Sequence, residues 1–131
     1  MTQLGFAFTA PATSSAPATS SAPALDVQPN RHGVYSHDLA ERLTLPCTRK
    51  NWKGGPTAEI RLLHVGQGWL EAIDYNTETG GGCSPLSASW QGFLPDRATA
   101  LDQAREELQR RLQGLNDKSA ARIRAWLPTL L

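Results

Sequence analysis

The sequence predicts a small α+β domain, and three observations carry that expectation. Residues 59–76 sort with period two into two sets of side chains, broken once by a glycine-bounded turn, the pattern of a β-hairpin. Residues 97–113 carry a leucine stripe of helical period. Neither segment can bury its apolar face alone, because a lone hairpin is marginal in water and needs a covering helix. The expected architecture is a small antiparallel sheet, hairpin 59–66/68–76 plus a third strand 83–88, packed against helix 97–113. Short helices are expected near 37–43 and 117–127.

In chain order, residues 1–24 are expected to be a disordered tail. Within it, 10–24 read APATSSAPATSSAPA, a six-residue unit given twice and begun again. These units carry no large apolar side chain. Ordering them would cost about 1–2 kcal/mol per residue with almost nothing buried in return. Alternating Pro and Ala favour an extended spacer of up to about 3 Å per residue. One domain is expected over 25–131, a length that supports one modest core.

Ser36 can cap a helix over 37–43, with Asp38 in its first turn and Leu39 and Leu43 four apart on one face; Pro46 ends it. Residues 48–56 (TRKNWKGGP) have loop chemistry. In the first strand Ile60, Leu62 and His64 share one face, and Arg61, Leu63 and Val65 the other. After a turn at Gly66, Gln67 and Gly68, the residues Trp69, Glu71, Ile73 and Tyr75 alternate with Leu70, Ala72 and Asp74. Residues 77–82 (TETGGG) read as a flexible connection, and Pro85 sends the third strand to an edge or a bulge. Asp96 is the expected N-cap of the long helix. Leu101, Ala104, Leu108, Leu112 and Leu115 form its buried stripe, and Gly114 suits its C′ position. The last helix carries Ile123, Trp126 and Leu127 and stops before Pro128.

A formal net charge of +1 gives no global field to draw nucleic acid or a membrane surface, although a local patch could still serve. No apolar stretch approaches the roughly 20 residues that span a bilayer, and residues 1–8 lack the basic start of a secretory signal. Cys47 and Cys83 are too few for a disulfide framework. A cytoplasmic protein with free thiols and no membrane partner is expected.

The candidate nucleic-acid contact is Arg49, Lys50, Trp52 and Lys53. Three cations and an indole in a Gly-ended loop can grip phosphates and stack on a base. From Arg42 to Arg61 the balance is five basic residues against one acidic, Glu59. The alternative is a solvated loop whose Trp52 folds back over the sheet. Gly80–Ser84 does not read as a phosphate cradle, since a Pro-containing strand follows it and not a helix. Nothing local aims His32, His37 or His64 at the Cys83 thiol, and no metal-ligand spacing is present, so no catalytic residue, metal or cofactor is expected. Trp69 and Trp126 sit in register with apolar patterns and are assigned to the core. Trp90 and Phe93 lack periodic partners and are assigned to a protein-contact surface.

Gln3, Leu4, Phe6 and Phe8 spell Q-L-x-F-x-F. This resembles the short motif by which bacterial DNA polymerases and repair proteins dock on the sliding clamp, and it implies a protein partner of that kind. Ala7 stands where the commonest form of the motif has Phe. A frayed N-terminus or an added edge strand is the alternative. Residues 68–112 pair Gly68-Trp69 with a Gly-rich loop followed by Ser84, then Phe93-x-Pro95 leading into an Ala/Leu/Glu/Arg helix. That order resembles small hairpin-plus-helix modules of ParB-like and DNA-modifying proteins of bacterial plasmids and genomic islands. The resemblance implies bacterial DNA maintenance or mobile-element biology, and no reaction. The expected function is a non-enzymatic interaction module with a tethered docking peptide; the alternative is direct nucleic-acid binding through loop 49–53.

Overall fold

The computed structural model describes residues 23–89 and 92–131. Four strands form one antiparallel sheet in sequential order: β1 Glu41–Leu45, β2 Ala58–Val65, β3 Gly68–Asn76 and β4 Gly81–Cys83. Two helices follow, α1 Arg97–Arg111 and α2 Lys118–Trp126, with a 3-10 turn at Leu127–Thr129. The expected α+β class stands.

The central hairpin β2–β3 pairs Ile60 with Ile73, Leu62 with Glu71 and Val65 with Gly68. Strict alternation sends its side chains into two separate cores. On one face Ile60, Leu62, Trp69 and Ile73 meet Leu101, Ala104, Leu108 and Leu112 of α1 and Ile123 of α2. On the other, Leu63, Val65, Leu70 and Ala72 meet Tyr35 and Leu86, with Leu25, Val27 and Phe93 packed around them. Helices therefore cover one side, and the irregular segments on either flank of the sheet cover the other. Each fully buried Leu or Ile in these layers contributes about 1.5–3 kcal/mol relative to exposure.

The long edges of the hairpin are closed piecewise. Beyond β1, the Leu25 N–H donates to the His64 carbonyl at 2.8 Å, and Leu25 pairs in parallel with Val65. On the β3 side, Leu94 pairs with Trp69 and the Ser84 N–H donates to the Ile73 carbonyl. Gly68 makes the first of these possible. A Cβ there would lie 2.7 Å from the Leu94 carbonyl oxygen, and its φ of +143° suits glycine alone.

Two expected elements are corrected. No helix forms over 37–43: residues 37–40 make a turn, and 41–45 become strand β1. The segment also reads with period two, and it lies beside the open edge of β2. Pairing with that edge puts Leu43 opposite Ile60 and Leu45 opposite Ala58, so both reach the main core, whereas a helix would leave the edge unpaired. Ser36 accepts from the Asp38 N–H at 3.3 Å, a local turn and not a helix cap. The third strand, expected at 83–88, is the three-residue Gly81–Cys83. Pro85 has no N–H to extend the ladder, and Ser87 keeps only an isolated bridge to Val34. The expected flexible loop is correspondingly tight, since the Thr77 N–H donates to the Gly80 carbonyl at 2.7 Å.

Both helices carry the N-cap chemistry that short helices need. Asp96 accepts from the Thr99 N–H at 2.7 Å, and Asp117 from the Ala120 N–H at 2.8 Å. Leu112 closes α1, and the left-handed Gly114 (φ +84°) comes one residue later than a C′ glycine. Arg124 of α2 then donates to the Leu112 and Leu115 carbonyls, placing a cation at the C-terminal end of α1. Trp69 is buried and Trp126 half-buried against the main core, as assigned from the sequence.

Leu108 is fully enclosed between α1 and the sheet. Leu108→Ala should lower the unfolding free energy by about 3 kcal/mol, read from the urea midpoint of the full chain. A loss below about 1 kcal/mol would show that the helix does not seal this face.

Candidate functional site

The two ends of the sheet differ in chemistry. At the end formed by Leu45, Ala58 and Asn76, the 46–57 loop, the 77–80 turn and the start of α2 are tied together by polar contacts. The Arg49 guanidinium donates to the Asn76 carbonyl at 3.2 Å and lies 3.4 Å from the Glu78 carboxylate. It also stacks 4.3 Å over the centre of the Trp52 ring. The indole N–H of Trp52 donates to the Gly55 carbonyl at 2.7 Å, so the ring folds over its own loop. A left-handed Asn51 (φ 61°) closes this turn, a conformation that Asn tolerates.

Glu78 in turn accepts from the Ser119 hydroxyl and N–H, at 2.7 and 3.1 Å. Those two bonds hold its carboxyl below the usual glutamate range. Thr79 donates its hydroxyl to Asp117 at 2.6 Å. This bond, with the Ala120 N–H, lowers the Asp117 carboxyl from 3.8 to about 2. Arg122 reaches across to the Pro46 carbonyl at 3.2 Å.

The basic loop of the sequence is therefore not a basic patch in space. Arg49 meets Glu78, and Arg61 meets Glu59 at 2.8 Å and Asp74 at 3.5 Å. Of the four residues assigned to nucleic-acid contact, Arg49 and Trp52 are engaged with each other, while Lys50 and Lys53 are exposed. Within the same loop Cys47 has a lowered thiol pKa. Burial raises it, and the Arg49 N–H, the Thr57 hydroxyl and the Arg49 charge together outweigh that effect.

At the opposite end, around the β2–β3 turn, an apolar groove of about 270 Å³ opens between the chain entering at Pro23 and the start of β1. Leu62, His64 and Trp69 form its floor, and Leu25, Leu39 and Ala40 its walls. The His64 and Trp69 rings stack with centroids 4.6 Å apart and planes 7° from parallel, giving the floor a flat aromatic surface. Glu41 stands at the rim, gripped by two bonds from Arg97 at 2.6 and 2.8 Å. The Arg97 bonds, opposed by partial burial, hold the Glu41 carboxyl below its usual range, and the pair anchors the rim to α1. Leu39 is 64% exposed on the groove wall.

That leucine marks what sequence reasoning missed. Expected to share one helix face with Leu43, Leu39 is instead set at the surface by the turn at 37–40. An apolar residue immediately before a strand-competent period-two run was the available signal.

A second cleft, about 310 Å³, lies on the other sheet face and brings His37, Arg61 and Cys83 to one surface, a proximity invisible in the sequence. Nδ1 of His37 is 3.0 Å from the Arg42 guanidinium. Among the described residues no group of three or more His, Cys, Asp or Glu is placed to hold a metal ion, and no helix is long and apolar enough to cross a membrane. Phe93 is half-buried against the second core, not exposed; Trp90, Gln3, Leu4, Phe6 and Phe8 lie outside the described residues. Comparison with protein-family models, with curated proteins and with solved structures gives no significant match.

Two outcomes follow from the polar end. The Asp117 carboxylate stabilises the fold above pH 4, and that contribution is lost as pH falls through about 2. Asp117→Asn should therefore lower the urea midpoint at neutral pH and flatten its decline between about pH 4 and 2; equal acid slopes in the two proteins would contradict this. In a Cys83→Ser background, Arg49→Gln should slow iodoacetamide alkylation of Cys47 at neutral pH and move the pH–rate midpoint upward. An unchanged profile would remove Arg49 as the cause.

Proposed function

We propose that this chain is a non-enzymatic interaction module, a small α+β domain that docks protein partners within a DNA-associated complex of the bacterial cytoplasm. The observation that carries the reading is the groove, an aromatic floor with an exposed aliphatic wall. The groove is suited to side chains from a peptide, which anchor by inserting spaced apolar groups into such a surface. Both cysteines are free, which suits a reducing compartment. The context of DNA maintenance or mobile elements is supported by the residues shared with hairpin-plus-helix modules over 68–112. The partner class is supported by Gln3, Leu4, Phe6 and Phe8.

Purified bacterial sliding clamp, titrated with the full chain, tests the partner. Binding in the micromolar range is expected, weakened about tenfold or more by Phe6→Ala/Phe8→Ala. Equal binding by wild type and variant, or none by either, would overturn the clamp as partner. Direct nucleic-acid binding through loop 49–53 now depends on Lys50 and Lys53. It predicts affinity for single-stranded DNA that falls steeply with salt and falls further when both lysines become Ala.

A further inference from the structure

We infer that the groove at the β2–β3 turn is the resting site of the chain's own Leu4–Phe8 segment, so that the docking peptide is held in cis until a partner competes for it. The inference rests on reading residues 3–8 as a docking peptide, and it adds a regulatory role for the folded domain.

Three observations fit the occupant to the site. The first is attachment. Pro23 lines the groove and Leu25 is hydrogen-bonded into the sheet beside it, so the segment outside the described residues joins the domain at the groove's own wall. The second is length. Only residues 9–22 separate Phe8 from Pro23; a coil of that size spans roughly 20 Å on average and reaches about 40 Å when extended. Such a tether holds the segment at a local concentration on the order of 1 mM. A groove that takes the free segment at only about 0.1 mM is then roughly nine-tenths filled. The third is pattern. Leu4, Phe6 and Phe8 alternate, so an extended segment presents all three on one side. The His64 ring, backed by the buried Trp69, offers a Phe ring an aromatic partner, and Leu25 and Leu39 offer aliphatic walls.

Cis docking makes the groove and the partner mutually exclusive ligands of one peptide. It also covers Leu39, an exposed large apolar side chain of the described surface.

The test compares amide and methyl NMR spectra of the full chain with those of Phe6→Ala/Phe8→Ala. Shift differences concentrated at Leu25, Leu39, Leu62 and the Trp69 indole, and unchanged on dilution, are expected. Leu39→Asp, at a position that is 64% exposed and outside both cores, should release the segment and move the Phe6 and Phe8 ring resonances to positions typical of unfolded peptide. Identical groove resonances in wild type and the Phe variant would overturn the inference. So would shifts that vanish on dilution, since the occupant would then be a second copy. These spectra are recorded without any partner, so cis docking stands or falls independently of whether the clamp binds.

Discussion

The two-faced hairpin β2–β3 is the constraint on which the rest of the structure depends. Its strands alternate large apolar side chains on both faces, with Ile60, Leu62 and Ile73 on one side and Leu63, Val65 and Leu70 on the other. Neither face can be left in water, so the chain must supply two covers. One is regular, the leucine stripe of α1 with α2 behind it. The other is irregular, built from Tyr35, Leu86 and their neighbours. The backbone edges of the same hairpin impose a second demand, because each N–H and carbonyl near the core needs a partner. That demand recruits β1, Leu25, Ser84, β4 and Leu94 in turn.

Covering a long hairpin with short pieces leaves unlike ends. Where β1, β2 and β3 end together near Asn76, the loops are long and polar. They satisfy one another through Arg49, Glu78, Thr79, Asp117 and Arg122. This network draws on two loops and a helix start, so it locks the start of α2 onto the sheet without adding apolar burial. At the other end β1 stops short of the turn, and the single pairing of Leu25 does not fill the space it leaves. The groove is a geometric remainder of that mismatch, and its apolar lining follows from the strand residues that floor it.

Charge illustrates the difference between sequence proximity and spatial proximity. Five cations among residues 42–61 look like a phosphate-binding surface when the chain is read linearly. Antiparallel pairing places Asp74 beside Arg61, and the turn after β3 carries Glu78 to Arg49. The field of the loop is thereby reduced to that of its two exposed lysines, and Trp52 is taken up by stacking with Arg49 and covering Gly54.

The sequence by itself determined the hairpin, both main helices and the Asp96 cap of the first, because each is encoded by a local period or by a local cap whose side chain reaches only three residues. It determined too which hairpin residues share a face. Only the tertiary structure decided the fate of 36–45, where helical spacing of Leu39 and Leu43 competed with the period-two run through Leu43 and Leu45. An unpaired β2 edge decided that contest, and no short-range pattern records it. The same choice set Leu39 at the surface, and with it the groove. The partners of Arg49 and the shared cleft of His37 and Cys83 were likewise illegible, since both depend on which strands lie side by side.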